Sequence, residues 1–405
     1  MLKQEKGRLL TWLAGIYLVL MLVMVPILAE AQTPAKELKV GLITSLTGPG
    51  SFWGITLVRG IESGFQEINN AGAVVVAGTK YNIKLIVEDD KYSPEETVKA
   101  ANRLIFTEKV QFILGSTGSP PILALGAVCE QNKVFNLGAA GYTPELTKPG
   151  KNLYTVRAQG FIPKLLFGAM VNKFKEIYPN VKTLASIGPD DATGHSIYDT
   201  AMPYFKSAQF QMIEEVFYPR ETKEQRAVVM RALAKKPDSL WQFSPPPEHI
   251  ILQVREARFQ GFKGPIWCTG TISPGYLIEG VGAESAEGFV SAWDDPVGDN
   301  SPPKLKTFAS QFIAKYGEKA WDPTVEMGYS WTYMLKKGLE LAGSIDPTAV
   351  RDQFLKEGIE WPSLYGPAFI KDRELLRPII FATIKNGKPT NFSPAYPPGY
   401  PSVRK

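Results

Sequence analysis

The sequence predicts an α/β protein whose parallel strands are covered by helices on both faces. Two observations carry this. Short apolar runs alternate with amphipathic helical segments through the first third of the chain, and a second series of the same kind begins after Arg157. That alternation is the signature of a parallel sheet buried on both sides. At 405 residues the chain is long enough for two domains of ordinary size.

The first series opens with LKVGLITSLTGPGSFWG, residues 38–54. An alternating apolar strand breaks at Thr47-Gly48-Pro49-Gly50 and leads into a helical segment over 55–69, with Leu57, Ile61, Phe65 and Ile68 on one face. A strand ending in a glycine-rich turn at a helix N-terminus leaves backbone N–H groups at the sheet rim, where small ligands bind in open α/β folds. Phe52 and Trp53 stand just past the turn, which suits an organic molecule better than a nucleotide. NIKLIVEDD is a second strand. Ser93-Pro94-Glu95-Glu96 reads as an N-cap, proline and acidic first turn of a helix reaching about Thr107. VQFILG, a helix over 121–132 and VFNLG complete the series.

In the second series, helical segments over 162–178, 196–208, 222–234 and 248–260 alternate with the strands VKTLASIG, QMIEEVFY, DSLWQF and GPIWCTG. From Ala292 the character changes. A Pro/Gly/Asp-rich loop precedes helices over 304–316, 323–342 and 347–356, and five prolines after Asn386 predict an extended or mobile tail.

The N-terminus reads as a cleaved signal peptide over 1–31. Lys3, Lys6 and Arg8 precede an apolar run over 9–28, and Ala29-Glu30-Ala31 supplies the small-x-small site. That run is also long enough to span a bilayer if it is retained. No cysteine directly follows it, so a lipid-anchored mature end is not expected. Cys129 and Cys268 remain, compatible with a disulfide in an exported protein or with two buried thiols. The formal net charge is +5 without a dense Lys/Arg run, which argues against nucleic acid.

With these segments in order, the chain resembles the type I periplasmic binding proteins of the branched-chain amino-acid (Leu/Ile/Val-binding) transport family. The matching pieces are KVGLITSLTGPGSFWG, GIESGFQEINNAGAV, LIVEDDKYSPEETVKAANRLI, VQFILGSTGS, FNLGAAGYTPELTKPGKNLYTVR and the helices around 326–343. The resemblance implies two Rossmann-like lobes joined by three crossovers, a Venus-flytrap, with a ligand held between them. The first lobe would comprise 37–157 and 293–364, the second 158–292 and 365–405. It implies an extracytoplasmic, periplasmic substrate-binding protein that delivers a solute to the transmembrane subunits of an ABC permease. The protein would be monomeric, would use no cofactor or metal, and would meet the membrane only through the permease. A ligand-sensing protein presenting its closed form to a receptor would use the same fold.

Carried onto this sequence, the resemblance makes Trp53 an aromatic over the ligand, although a core residue would look the same. It assigns Ser116, Thr117 and Ser119 to a ligand carboxylate; for Ser119 a plain N-cap is the competing role. It assigns the backbone of Ala139, Ala140 and Gly141 to the same task, with Gly141 where the family has a hydroxyl residue. In the second lobe Thr193 replaces the usual tyrosine, and Thr269-Gly270-Thr271 stands where an acid would pair with an α-ammonium. Asp191, or its neighbour Asp190, could stand in for that acid or be a solvated loop residue. Phe243, with Trp241, would add an aromatic rim. A buried ammonium without an acid partner costs several kcal/mol. The expected ligand is therefore a carboxylate with an apolar or aromatic body, an amino acid or amide being the alternative.

An α/β enzyme is the remote alternative. The first turn holds no G-x-G-x-x-G and no P-loop lysine. His195 and His249 have no metal-ligand spacing, and Ser116 and Ser119 lack a G-x-S-x-G context.

Overall fold

A computed structural model describes residues 34–159, 163–392, 394–397 and 400–401. The expected signal segment lies outside these residues. The first lobe begins with β1 (Lys36–Thr44), α1 (Ser51–Asn70), β2 (Val74–Val76), β3 (Thr79–Asp89), α2 (Pro94–Asn102), β4 (Phe112–Thr117), α3 (Ser119–Asn132), β5 (Phe135–Ala140) and β6 (Thr155–Arg157). The chain then crosses into the second lobe. There it forms α4 (Pro163–Ile177), β7 (Thr183–Pro189), α5 (Ala192–Ser207), β8 (Gln211–Tyr218), α6 (Arg226–Leu233), β9 (Ser239–Gln242), α7 (Pro247–Phe259), β10 (Ile266–Cys268), α8 (Pro274–Val281), α9 (Ala283–Ala286) and β11 (Phe289–Ser291). A second crossing leads back to α10 (Pro303–Tyr316), α11 (Pro323–Ala342), α12 (Pro347–Phe354), β12 (Phe369–Lys371) and β13 (Glu374–Leu376). The third places β14 (Ala382–Lys385) and β15 (Lys388–Asn391) in the second lobe.

The two sheets share one plan. The first runs β12-β13-β6-β5-β4-β1-β3-β2 and the second β15-β14-β11-β10-β9-β7-β8. The first five parallel strands of each are ordered second, first, third, fourth, fifth, and in the first sheet β13 adds a sixth beside β6. In such a sheet the connections diverge between the first and third strands, and ligands bind at the carboxyl ends there. The switch points are β1/β4 in one lobe and β7/β9 in the other.

Local chemistry explains most of the elements. Ser93 caps α2 through the N–H of Glu96, as its sequence promised. A buried apolar face of α1, including Leu57, Ile61, Phe65 and Ile68, lies in the same core as Trp331, Met334 and Leu335 of α11. The short strand β2 was not anticipated. It pairs antiparallel with β3 across Ala77-Gly78, both at positive φ, the geometry of a tight hairpin.

The expected lobe boundary at residue 364 needs correction. β12 and β13 belong to the first sheet: β13 lies beside β6 with Glu374 opposite Arg157, and β12 folds back on it. The switch therefore comes after Leu376. The edge beside β6 still needed hydrogen-bond partners, and this hairpin supplies them. The tail beyond Asn386 is also more engaged than its composition suggested. β15 pairs with β14, Ala395 bridges Ile379, and the Tyr400 hydroxyl donates to the Pro367 carbonyl at 2.7 Å in the first lobe.

The fully buried Trp331 ties α11 to the first crossing, since its Nε1 donates to the Ala158 carbonyl at 2.7 Å. Trp331→Phe removes that donor and strands a buried carbonyl, a loss of about 1–3 kcal/mol. Urea denaturation should show it, and unchanged stability would contradict the assignment.

Candidate functional site

The loops after the switch-point strands of both sheets meet in one place. A cavity of about 40 Å3 there is lined by Trp53, Tyr92, Thr117, Gly118, Ala140, Tyr142, Gln159, Thr324 and Met327 from the first lobe and by Thr193, Ser244, Gly270 and Thr271 from the second. A roomier groove of about 520 Å3 runs along α10 and α11. It draws on the first lobe alone and is remote from both switch points, so the smaller cavity is the better candidate.

Direct contacts bridge the lobes around the cavity. Trp53, in the first turn of α1, donates through Nε1 to the Thr271 hydroxyl. The Thr193 hydroxyl accepts the Ser119 N–H at 3.0 Å and lies 3.3 Å from the Tyr92 hydroxyl. Ser196 donates to the Tyr142 carbonyl at 3.2 Å, and Phe52 stacks on Tyr276 at 6.2 Å between ring centres. The lobes are thus closed on one another.

The structure brings Trp53, Thr117, Ala140 and Thr193 to the cavity. The other expected residues have different tasks. The Ser116 hydroxyl donates to Asp90, whose carboxylate also takes Ser45 Oγ at 2.7 Å and the Tyr92 N–H at 2.9 Å. Ser116 therefore fixes the loop that carries Tyr92. Burial pushes the Asp90 carboxyl up, against those hydrogen bonds. The Ser119 hydroxyl is neither an N-cap nor turned to the cavity: it accepts the N–H groups of Tyr142 and Thr143 at 3.1 and 3.2 Å. Ala139 is fully buried, and its carbonyl accepts the Gly141 N–H at 3.1 Å. A Cβ on Gly141 would come within 2.4 Å of Ile122 Cδ1, so a side chain there requires the end of Ile122 to shift.

In the second lobe, Asp191 caps α5 rather than serving an ammonium. Its Oδ1 accepts the N–H groups of Thr193 and Gly194 at 2.9 Å, and its Oδ2 takes Arg220 Nε at 2.6 Å. Asp190 makes a partly exposed pair with His195 at 2.8 Å. Phe243 and Trp241 form no rim. Both are buried in the second-lobe core, and Phe243 lies across Gly188, where a Cβ would be 1.9 Å from the ring. Thr269 accepts Trp241 Nε1 at 3.2 Å inside the protein, whereas Thr271, two residues on, reaches the cavity.

Tyr92, Tyr142, Gln159, Ser244, Thr324 and Met327 escaped the sequence reading. They come from segments far apart in the chain, and only the Asp90-Lys91-Tyr92 turn behind a strand carried a local signal. Gly118 makes room for the Tyr92 ring, which its Cβ would meet at 2.3 Å. Burial raises the Tyr92 hydroxyl's pKa, so it is neutral at physiological pH. Cys129 and Cys268 are both free and buried, which rules out the disulfide. Burial pushes the Cys268 thiol up to about 12.

The family profile described as periplasmic binding protein matches residues 37–389. The chain belongs to that family. Among its relatives, the Leu/Ile/Val-binding protein BraC3 of Rhizobium johnstonii is 24% identical over 352 residues, covering 84% of this chain and 89% of the relative. The structure of a leucine-binding protein from Thermotoga maritima superposes with a TM-score of 0.74 at 24% identity, over 89% of this chain and 99% of that one. A solute-binding protein from Rhodopseudomonas palustris in complex with benzoate gives 0.75 at 17% identity, over 89% and 97%. These likenesses establish the two-lobed fold. Among the described residues no helix is long and apolar enough to cross a membrane.

Asp322, the N-cap of α11, lies behind the cavity wall. Its Oδ1 accepts the Thr324 N–H at 2.9 Å and the Thr324 hydroxyl at 2.6 Å, and the Thr271 hydroxyl of the second lobe also lies close enough to favour its charged form. Burial raises its pKa from 3.8 to about 6, with the Thr324 hydrogen bonds opposing. A raised folded-state pKa gives stability that is complete below the unfolded value and is lost as pH rises through about 6. Asp322→Asn keeps an acceptor for the cap and removes that loss. Its stability relative to the native protein should therefore rise between pH 4 and pH 7 by on the order of 2–3 kcal/mol. Denaturation at both pH values checks this, and a pH-independent difference would contradict it.

Proposed function

We propose that the protein captures a small carboxylate with an aromatic or apolar body between its lobes and presents the closed form to the transmembrane subunits of an ABC permease. The observation that carries the reading is the convergence of both switch points on one cavity walled by Trp53, Tyr142 and Met327 and edged by threonine hydroxyls. Apolar walls with a few placed polar groups are the usual make-up of a small-molecule site. Relatives that bind leucine, isoleucine and valine, and structural neighbours bound to benzoate or hydroxybenzoates, support the solute class. Among the groups around the cavity, Asp191 and Asp322 are turned to helix caps, which favours an acid over an α-amino acid. The work assigned to the chain is binding, and the permease would supply the energy.

A ring needs more room than the closed cavity gives. A cavity of roughly 150 Å3 holds benzene, against about 40 Å3 here. The lobes must therefore part to admit the solute and close less fully around it. Export to the periplasm and a monomeric state are part of the same proposal.

Trp53→Ala should weaken solute binding at least tenfold, since it removes both an aromatic wall and the link to Thr271. The test is a thermal-shift screen of amino acids, aromatic acids, short dicarboxylates and amides, followed by calorimetry on the best probe. Unchanged affinity in Trp53→Ala removes Trp53 from the site. Stabilisation by α-amino acids alone would overturn the carboxylate reading.

A further inference from the structure

We infer that Arg220 is the residue that selects a carboxylate, its free Nη2 meeting the anionic end of a ring-bearing acid. The inference rests on the solute-binding reading above and names the group that sets its specificity. Arg220 follows β8 and is 4% exposed. Its guanidinium is held on two sides: Nε donates to Asp191 Oδ2 at 2.6 Å and Nη1 to the Ser244 carbonyl at 2.9 Å. Nη2 is buried and has no hydrogen-bond partner. The guanidinium carbon lies 5.6 Å from the centre of the Trp53 ring and 5.3 Å from that of Tyr92. Trp53, Tyr92 and Ser244 all line the cavity.

The backbone donors at the ends of β4 and β5, among them the Ser119 and Gly141 N–H groups that the resemblance offered to a carboxylate, are occupied in this closed form. The Gly118 N–H donates to the Ala140 carbonyl at 2.6 Å, the Gly141 N–H to that of Ala139, and the Ser119 N–H to Thr193. The N–H groups of Tyr142 and Thr143 go to Ser119 Oγ. Arg220 Nη2 is left as a buried cationic donor beside the cavity rings, and a buried donor without a partner is costly. A charge-assisted bond to a carboxylate would satisfy it.

The local charge favours an anion. Asp191 offsets part of the Arg220 charge, but its other oxygen is committed to the N-terminus of α5, whose dipole is itself positive. Burial works against the guanidinium's charge, while the Asp191 carboxylate hydrogen-bonded to it holds it protonated. The guanidinium is fixed in direction by two bonds and lies over the Trp53 and Tyr92 rings. That geometry suits a planar acid whose carboxylate takes Nη2 while its ring lies against Trp53.

The test uses benzoate and benzamide as isosteric probes, with phenylalanine and leucine alongside, by calorimetry on the full protein. The unmodified protein should bind benzoate at least thirtyfold more tightly than benzamide. Arg220→Gln should erase that preference, losing benzoate affinity at least thirtyfold and leaving benzamide affinity within about threefold. If Arg220→Gln does not fold, the acid-to-amide ratio of the unmodified protein decides alone. Equal binding of benzoate and benzamide overturns the role of Arg220 and leaves solute capture standing. Equal losses of both in Arg220→Gln mean that the arginine only holds the lobes together, which also overturns it. Binding of the amino acids alone overturns both the carboxylate reading and this one.

Discussion

In a parallel sheet each strand's carboxyl end opens into a loop that starts a helix, and the first N–H groups of that helix have no partner within it. Two such sheets face each other here at their switch points. The polar groups stranded on one lobe are therefore satisfied partly by the other. The Ser119 N–H finds the Thr193 hydroxyl, and the Trp53 indole finds Thr271. Every exchange of this kind binds lobe to lobe, yet each can be surrendered to water or to a ligand when the lobes part. The cleft is therefore held by polar contacts that a ligand can replace.

The seam is flanked by a buried charge network at the crossings. Asp294, on the second crossing, accepts the Tyr365 hydroxyl at 2.5 Å and that of Ser301 at 3.1 Å. Arg377, on the third, stacks 3.8 Å from the centre of the Tyr365 ring and pairs with Glu326 at 3.6 Å. Burial raises the Asp294 carboxyl to about 6. Breaking such a buried network by removing one member is strongly destabilising, so the crossings are anchored to the first lobe while the cleft contacts remain exchangeable. Arg220 is built on the same principle. Asp191 and Ser244 brace it within the second lobe, and its guanidinium carbon lies over the Trp53 and Tyr92 rings of the first.

Much of the fold was legible because strand and helix periodicity is local. The alternation of segments and the cap at Ser93 could be read from the spacing of apolar residues and turn formers. The lobe boundary near Leu376 could not, because whether the β12–β13 hairpin joins the first or the second sheet depends on which edge is open. The site was half legible. Trp53, Thr117, Ala140 and Thr193 sit at or just after the carboxyl ends of parallel strands, where the fold class alone directs attention. Phe243 and Thr269 also sit at strand ends but turn inward. The absence of a side chain at Gly188, on the neighbouring strand, admits the Phe243 ring to the core, and the Trp241 indole claims Thr269. Neither fact is local. Gln159, Thr324 and Met327 join the candidate site only through tertiary folding, and an arginine in a loop sequence gives no sign that two of its nitrogens will be held beside it.

The central claim is that a ring-bearing solute is held between the lobes and governs their closure. Small-angle scattering of the protein, with and without the aromatic acid that stabilises it most, tests this directly. The account predicts a more extended particle in the absence of the acid and a smaller radius of gyration at saturation. Saturable binding of the acid with no change in the scattering profile would contradict it, because the solute would then sit outside the seam.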